Sequence, residues 1–256
     1  MEAITLRHVN KSHTTYSTEV VLTGETRESR TRRVLRDLSV SFPLGQLTVI
    51  VGRSGCGKST LLKLLAGKEQ PDSGELHIPE GWHSAMLSPE PYVITWTSVQ
   101  RNVAMACGVG KTPEERYEKA RDFVKLVGLE DYADLTPAEL STGMKQRLGL
   151  ARVLAGQAEL LLMDEPFASL DFLTREELQA QLLAVQRAMP RTIVLVTHQL
   201  DEALLLGQKI LVMHPDSTLR EFDLTSYDYP RDLSAPPMQA LKREITDQCR
   251  RSSANA

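Results

Sequence analysis

The sequence has 256 residues with 33 acidic and 30 basic side chains, a formal net charge of −3 and a pI near 6.1. This length is enough for one substantial core with a subdomain attached, and the acidic balance gives no overall basic field for DNA or RNA. Three scattered cysteines are too few for a disulfide framework and suit a reducing compartment, which predicts a cytoplasmic protein.

The sequence offers no segment that would insert into a bilayer by itself. Residues 1–7 lack the apolar core of a signal peptide. The longest apolar runs, at 160–163 and 193–196, are far shorter than the about 18–20 residues that span a bilayer. If the protein works at a membrane, another subunit is therefore expected to hold it there.

Residues 1–45 are predicted to form β-structure in front of the core. Apolar and polar residues alternate at 4–9 and again at 34–42. The polar stretch 11–33 between them is either an extended hairpin arm or a mobile loop. Its basic cluster is interpreted as part of a solvated loop in preference to a specific anion contact. The cluster consists of Arg27, Arg30, Arg32 and Arg33.

Residues 52–60 fit the phosphate-binding pattern G-x-x-x-x-G-K-[ST], between a strand-like run and a helix-favouring run. Glycines let backbone N–H groups turn around a polyanion, and the new helix directs its positive end to the same place. The pattern predicts an ATP site in which Lys58 reaches the β- and γ-phosphates and the Ser59 hydroxyl ligates Mg²⁺. The predicted ATP-binding residues are Gly52, Arg53, Ser54, Gly55, Cys56, Gly57, Lys58, Ser59 and Thr60.

A turn and a short strand are predicted at 71–76. From residue 88 onward the sequence predicts helical stretches at 99–105, 113–127 and 137–140. Ser141 is a natural N-cap for a further helix, whose exposed N–H groups and positive end make a second candidate anion-binding terminus.

The apolar run 160–163 is predicted to be a strand, and it is followed by two carboxylates. Because ligands bind at the carboxyl end of strands in a parallel sheet, Asp164 is predicted to be the Mg²⁺ partner. Glu165 is the candidate general base that polarises the attacking water, the alternative being a structural carboxylate.

The remaining predicted elements are a helix at 176–189, a strand at 192–197, a short helix from Gln199, a last strand at 209–213 and a polar tail of mixed charge. His198 directly follows the strand at 192–197. A single histidine is more often structural, but this one is expected at the same sheet edge as Asp164 and Glu165, which favours a contact with the γ-phosphate.

These motifs together resemble the ATP-binding cassette (ABC) ATPase family over nearly the whole chain. The corresponding motifs are Walker A at 52–60, the family signature at 140–144 (Leu-Ser-Thr-Gly-Met), Walker B at 160–165 with Glu165 as catalytic glutamate, the D-loop at 168–171 with Asp171, and His198 as the switch histidine. Five motifs in the family's order make the assignment specific.

The resemblance implies an α/β P-loop NTPase fold with a RecA-like parallel-sheet core, an N-terminal antiparallel β-subdomain and an inserted α-helical subdomain. It places one ABC ATPase domain at 1–256. Within it, 1–87 would hold the β-subdomain and the first part of the core, 88–157 the helical subdomain with the signature, 158–214 the second part of the core, and 215–256 the tail.

In this family two cassettes pack head to tail, so each ATP lies between one chain's phosphate loop and the other's signature. The partner chain's ATP would therefore meet Ser141, Thr142, Gly143 and Met144. The second cassette would be an identical chain or a different one. ATP would close the dimer and hydrolysis would release it.

A finer resemblance, carried by 96–99, 102–103, 170–175, 229–234 and 238–245, is to cassettes of the bacterial nitrate, sulfonate and taurine importers. It implies a peripheral subunit on the cytoplasmic face of the inner or plasma membrane. There it would power import of a small solute through a transmembrane permease fed by an extracytoplasmic solute-binding protein.

The sequence departs from the family pattern at three places. The Q-loop glutamine expected near 88–90 is absent, and Glu90 is the candidate replacement. Thr142 stands where glycine is usual, with less backbone freedom. The adenine-stacking aromatic is assigned to Tyr16, with His13 as a second candidate.

The sequence leaves two functions open besides the transport ATPase. One is a nucleotide-gated regulatory subunit with weak hydrolysis, which the altered Q-loop and signature would suit. The other is a non-transport ABC protein acting on DNA or ribosomes, which the acidic balance and the single cassette disfavour.

Overall fold

The computed structural model describes residues 3–21 and 24–251, including every side chain in them except those of 15–21, 24–28, 30 and 251. The strands are β1 (Ala3–Val21), β2 (Gly24–Pro43), β3 (Leu47–Gly52), β4 (Ser73–His77), β5 (Ser84–Leu87), β6 (Leu160–Asp164), β7 (Thr192–Val196), β8 (Lys209–Met213) and β9 (Leu219–Asp223). The α-helices are α1 (Lys58–Leu65), α2 (Val99–Ala106), α3 (Pro113–Leu126), α4 (Thr142–Ala155), α5 (Phe172–Ala188), α6 (Leu200–Leu206) and α7 (Pro236–Arg251).

The larger sheet has the strand order β5-β6-β7-β3-β8-β9, and all neighbours are parallel except the last pair. Strands β6 and β7 are buried at every position, which explains why they are continuous apolar runs rather than alternating ones. Val49 and Leu161 belong to one hydrophobic cluster while Ile50 and Leu162 belong to the other, so both faces of the sheet are covered. The predicted parallel-sheet core is confirmed.

The parallel arrangement brings three chain segments to one edge of the sheet. Ile50 of β3 and Asp164 of β6 both pair with Val196 of β7. The segments that follow these strands, including the phosphate loop and His198, therefore start side by side.

The smaller sheet is antiparallel, in the order β2-β1-β4. Strands β1 and β2 pair from Ala3 opposite Pro43 to Val21 opposite Gly24. The described part of the polar stretch 11–33 is thus the hairpin arm, and the mobile-loop alternative is wrong for it. Among the hairpin side chains that the structure describes, the buried apolar ones lie at its base, which explains why the alternation is found at 4–9 and 34–42.

Helices α2, α3 and α4 pack on one another. In the sequence they lie between β5 and β6. The predicted helices at 99–105 and 113–127 are confirmed within one residue at each end. The stretch at 137–140 forms only a 3₁₀ turn, Pro137–Glu139, closed by a capping box between Thr136 and Glu139. A Cβ on Gly149 of α4 would lie 2.5 Å from Pro91 Cβ, so glycine permits the close approach of this helix to the segment after β5.

Some predicted boundaries were wrong. Helix α5 begins at Phe172, four residues before the predicted start, because the Asp171 side chain accepts a hydrogen bond from Thr174 N at 3.1 Å and caps the helix there. Strand β5 was not predicted, because its four residues are too short to show a period.

The strand at 209–213 was predicted to be the last, but the polar tail that follows it contains β9 and the 16-residue helix α7. Met238 and Ile245, seven residues apart, are the buried positions that dock α7, so few apolar residues mark the helix in the sequence. Arg231 is 7% exposed and its guanidinium donates to the carbonyl oxygens of Leu204, Gly207 and Leu224, which attaches the tail to the core.

Candidate active site

A cleft of about 1020 Å³ opens at the carboxyl edge of the larger sheet. One side is formed by the phosphate loop and the start of α1, another by Asp164 and Glu165 after β6, and a third by the base of the β1–β2 hairpin. The phosphate-loop residues that line it are Ser54, Gly55, Gly57, Lys58, Ser59 and Thr60. Its volume suits a nucleotide-sized ligand.

The backbone of the phosphate loop requires glycine at Gly57. This residue has φ 106°, in the left-handed region, and a Cβ there would lie 2.7 Å from Leu35 Cδ2. Helix α1 starts directly after it, and Gly57 has no side chain to cap the first turn. The first N–H groups of α1 therefore have no N-cap side-chain acceptor, which suits an anionic ligand.

The ammonium of Lys58 lies inside the curve of the loop. Lys58 is 8% exposed, and its Nζ donates to the carbonyl oxygens of Gly52 and Arg53 at 2.8 and 2.9 Å. Cys56 Sγ lies 3.9 Å from the same Nζ, and burial raises the pKa of this thiol. The raised pKa keeps the Cys56 thiol uncharged, so this side chain only packs inside the loop. Lys58 is held in position by the two carbonyl oxygens.

Ser59 and Asp164 both line the cleft, where the Asp164 carboxyl is buried and the Ser59 hydroxyl is close enough to act on its pKa. Burial raises the pKa of Asp164, the Ser59 hydrogen bond acts in the opposite direction, and the neighbouring Glu165 charge raises it again. A carboxyl that is desolvated and close to a second acid gains from a cation beside it.

Glu165 and His198 lie at the same sheet edge, as predicted, and the structure also brings them into contact with each other. Glu165 Oε2 lies 3.2 Å from His198 Nδ1, and Glu165 N donates to Val196 O at 2.9 Å. Glu165 has φ 50°, an uncommon conformation for a residue other than glycine. This backbone turn allows Glu165 to line the cleft beside Asp164, although the two residues are consecutive.

Sequence reasoning missed a polar network centred on Arg175 of α5. Its Nη2 donates to Leu170 O at 2.8 Å and its Nη1 to Gln199 Oε1 at 3.0 Å. Its Nε lies 3.9 Å from Oε1 of Glu202, which is 3% exposed and accepts from Thr197 Oγ1 at 2.6 Å. The network joins the D-loop segment to the segment that carries His198, and its partners are too far apart in the sequence to form a motif.

The signature residues lie away from this cleft. Ser141 Oγ accepts from Met144 N at 3.3 Å, which confirms the predicted N-cap, and both Ser141 and Thr142 are exposed. A Cβ on Gly143 would lie 3.4 Å from Ser169 O, so the signature adjoins the D-loop. Among the described residues that line the cleft, none comes from 141–144.

Three weaker predictions have separate outcomes. Glu90 is exposed in a bend after β5 and is not among the residues that line the cleft. Tyr16 pairs with Ser29 in the hairpin, but its side chain lies outside the described residues. His13 does line the cleft, and its Nε2 lies 3.0 Å from Glu69 Oε2.

The basic cluster of the hairpin was placed in a solvated loop by the sequence argument. Arg32 and Arg33 instead lie in strand β2, and both line the cleft together with Arg36. The side chains of Arg27 and Arg30 lie outside the described residues. The signal that was available, the density of arginine before the alternation at 34–42, did not show which way the strand faces.

A phosphate loop, an acidic strand end and a Glu–His pair at one sheet edge define a P-loop nucleotide-hydrolysing protein. The family model described as ABC transporter matches residues 35–168. The chain therefore belongs to the ABC transporter family and is an ATP-binding cassette ATPase.

The relatives that match this chain include import ATP-binding proteins. The chain is 38% identical to the taurine import ATP-binding protein TauB of Pseudomonas aeruginosa, over 92% of this chain and 84% of that protein. It is 38% identical to the aliphatic sulfonates import ATP-binding protein SsuB 1 of Shouchella clausii, over 89% and 90% of the two chains. It is 39% identical to the nitrate import ATP-binding protein NrtC of Synechococcus elongatus, over 77% of this chain and 31% of that longer protein.

Solved structures of cassettes share the fold. The dimeric structure of MJ0796, a bacterial ABC transporter cassette, has a TM-score of 0.73 at 25% identity and covers 86% of this chain and 98% of that one. A second dimeric structure of the same cassette, in a post-hydrolysis state with ADP and Pi, has the same TM-score at 24% identity. Within residues 3–21 and 24–251, the chain has no helix with the length and hydropathy to cross a membrane.

Proposed function

We propose that this chain is the ATPase subunit of an importer, which binds ATP with Mg²⁺ in the cleft and couples its hydrolysis to uptake of a small taurine-, sulfonate- or nitrate-like solute. The observation that carries the proposal is the convergence of Lys58, the Ser59–Asp164 pair and the Glu165–His198 pair at one sheet edge. Identity to import ATP-binding proteins along most of the chain supports the coupling to uptake.

The phosphate loop is the proposed ATP-binding element. Lys58 exchanges its two backbone carbonyl partners for the β- and γ-phosphates, and backbone amides of the loop and of the first turn of α1 complete the cradle. Residues 52–60 supply these groups. Because Lys58 is already buried and oriented, little side-chain entropy is lost when the phosphates bind.

Ser59 and Asp164 are the proposed Mg²⁺ ligands. The donor set fits, since a hydroxyl and a carboxyl line the same cleft close to each other and Mg²⁺ prefers oxygen ligands, with phosphates and water to complete its shell. The described residues contain no cluster of three His, Cys, Asp or Glu side chains that would suit another metal. When bound, the ion would neutralise charge on the phosphates.

Glu165 is the proposed residue that orients the attacking water, and His198 the one that contacts the γ-phosphate. The 3.2 Å contact between them fixes the position of the imidazole relative to the carboxylate. A carboxylate that a constrained backbone directs into the cleft beside the phosphate loop supports the role of general base.

The signature and the D-loop are proposed to act on the ATP of a partner chain. The start of α4 is exposed and lies beside the D-loop, whose Asp171 caps α5. The signature residues at this helix start are Ser141, Thr142, Gly143 and Met144. Because this helix end lies outside the chain's own cleft, it reaches a nucleotide only in a two-fold dimer. Either two identical chains or two different cassettes satisfy this arrangement.

The permease is proposed to dock on the helical segment from the cytoplasmic face of the membrane, with a solute-binding protein on the other side. Tyr92 is 89% exposed, Trp96 81% and Met105 64%. Large apolar side chains left exposed on one segment of the chain favour an interaction surface there. Glu90 lies two residues before Tyr92, which suits a role in relaying the state of the cleft to the permease.

Steady-state ATPase activity of the purified chain, measured against its own concentration beside Glu165→Gln, tests the hydrolysis. We expect the rate per chain to rise with concentration in the wild type, and kcat to fall about 10²–10⁴-fold in the variant while the Kd for ATP changes less than threefold. Unchanged turnover in Glu165→Gln would remove this residue from its role. ATP binding with negligible turnover, even with the permease present, would favour a regulatory cassette.

A further inference from the structure

We propose that Arg32, Arg33 and Arg36, here called the arginine cluster, bind the phosphate chain of the nucleotide from the hairpin side of the cleft. The inference rests on the proposed ATP site and adds residues that lie outside the phosphate loop. All three line the same cleft as Lys58 and Ser59. Their ligand is a nucleoside di- or triphosphate.

The guanidinium groups are available for such a ligand. Arg32 Nη2 makes one long contact of 3.4 Å, to Gly55 O of the phosphate loop. The guanidinium groups of Arg33 and Arg36 make no hydrogen bond or ion pair with any described residue. Planar guanidinium groups bind phosphate oxygens in a bidentate manner, so unpaired arginines beside a phosphate loop are suited to this ligand.

The backbone that carries the cluster is held against the phosphate loop. Leu35 is fully buried, and its Cδ2 would lie 2.7 Å from a Cβ on Gly57, so β2 packs directly on the loop. The buried Ser217, in the turn between β8 and β9, accepts from Arg36 N at 2.9 Å. The strand therefore presents the arginines from a fixed support.

The cluster gives the side chains that line the cleft a net positive charge. The charged side chains that line it are four basic groups, Lys58 and the three arginines, and two acidic groups, Asp164 and Glu165. Without the cluster a single lysine would face two carboxylates, and the net charge of the wall would have the same sign as a polyphosphate. With it the wall is positive and complementary to the ligand.

The experiment compares Arg33→Gln/Arg36→Gln with Arg220→Gln. Arg220 is an exposed arginine of β9 that is not among the residues lining the cleft, so it controls for the loss of positive charge. Calorimetric titration with ADP, which is not hydrolysed, gives the Kd for the full-length chain. The same titrations with AMP, and with ADP in 0.5 M salt, separate a phosphate contact from a general change.

We expect the double variant to raise the Kd for ADP about tenfold and that for AMP less than threefold, because exposed charge-assisted contacts each contribute modestly. The KM for ATP rises in parallel while kcat stays within twofold, and high salt shrinks the difference. Arg33→Lys/Arg36→Lys gives an intermediate Kd, because the charge remains and the bidentate geometry is lost.

A Kd for ADP in the double variant within twofold of both the wild type and Arg220→Gln would overturn the inference and leave the proposed function standing. Equal losses for ADP and AMP would also overturn it, since the contact would then not be with the phosphate chain. If the wild type and Arg220→Gln bind no ADP, the proposed function fails and the inference fails with it.

Discussion

Two helices of this chain begin with a terminus suited to an anion, and they are built differently. Helix α1 starts after Gly57, beside a buried lysine and in a positively lined cleft. Helix α4 starts after Ser141, whose own side chain caps it, at an exposed position away from that cleft. The difference fits the proposal that α1 holds its ligand within one chain, whereas α4 supplies half of a site that a second chain completes.

The largest expected effect comes from disabling the α1 end in one chain and the α4 end in another. We expect Lys58→Ala and Ser141→Arg each to reduce kcat/KM for ATP more than about hundredfold. A mixture of the two variants should regain up to about half of the wild-type rate. In the mixed dimer the intact phosphate loop of one chain meets the intact signature of the other.

ATPase activity of the separate and mixed variants measures this effect. Lys63→Ala, on an exposed position of the same helix α1, is the matched control and should keep its activity. A mixture no more active than its components would show that the two helix ends do not act on the same nucleotide.

The next largest effect is expected at Arg175, which connects the surroundings of the two helix ends. Arg175→Lys keeps the charge and loses the fork that holds Leu170 O and Gln199 Oε1 together. We expect kcat to fall about tenfold with the KM for ATP unchanged within twofold, because ATP binding does not use this network. Steady-state kinetics of Arg175→Lys and of the exposed control Glu177→Gln test this prediction. A change confined to KM would contradict it.

A smaller effect is expected on the pH dependence of stability, through Asp164 beside the α1 end. Burial raises the pKa of Asp164 above its ordinary value of 3.8, so the folded chain binds a proton more readily than the unfolded chain. The stability that this group contributes is fully present below that value and is lost as the pH rises through the raised pKa. Asp164→Asn cannot ionise and should therefore gain stability relative to the wild type as the pH rises.

Urea unfolding of the nucleotide-free chain at several pH values measures that difference. Asp122→Asn, which removes a carboxylate from an exposed position on α3, is the control for the change in net charge. A stability difference between Asp164→Asn and the wild type that stays constant with pH would show that burial does not raise this pKa.

The smallest effect is expected at Thr142, the first residue of α4. Thr142→Gly restores the family's usual residue at an exposed position that makes no cap bond of its own. We expect kcat to change less than threefold and the free energy of unfolding to fall by about 0.5 kcal/mol, since glycine is a poorer helix residue. A tenfold gain in kcat would mean that Thr142 is what limits this helix end.

Much of the fold and the site could be predicted because the deciding interactions are local. The phosphate loop needs glycine at fixed positions and a lysine after them, and Ser141 caps the helix that starts next to it. Buried parallel strands need continuous apolar runs, so β3, β6 and β7 could be recognised. The elements at the end of the chain could not be predicted, because α7 buries few apolar residues and Arg231 holds the tail through carbonyl oxygens more than 20 positions away.

The sequence by itself determined the parallel core, the phosphate loop, the two carboxylates after β6 and the capped signature helix, since each depends on residues within a few positions. The tertiary structure decided that the hairpin arginines line the cleft and that Arg175 joins two loops. The support of Arg36 by Ser217 joins residues 181 positions apart. Such pairings arise only when segments that are distant in the sequence pack together, and no local pattern encodes them.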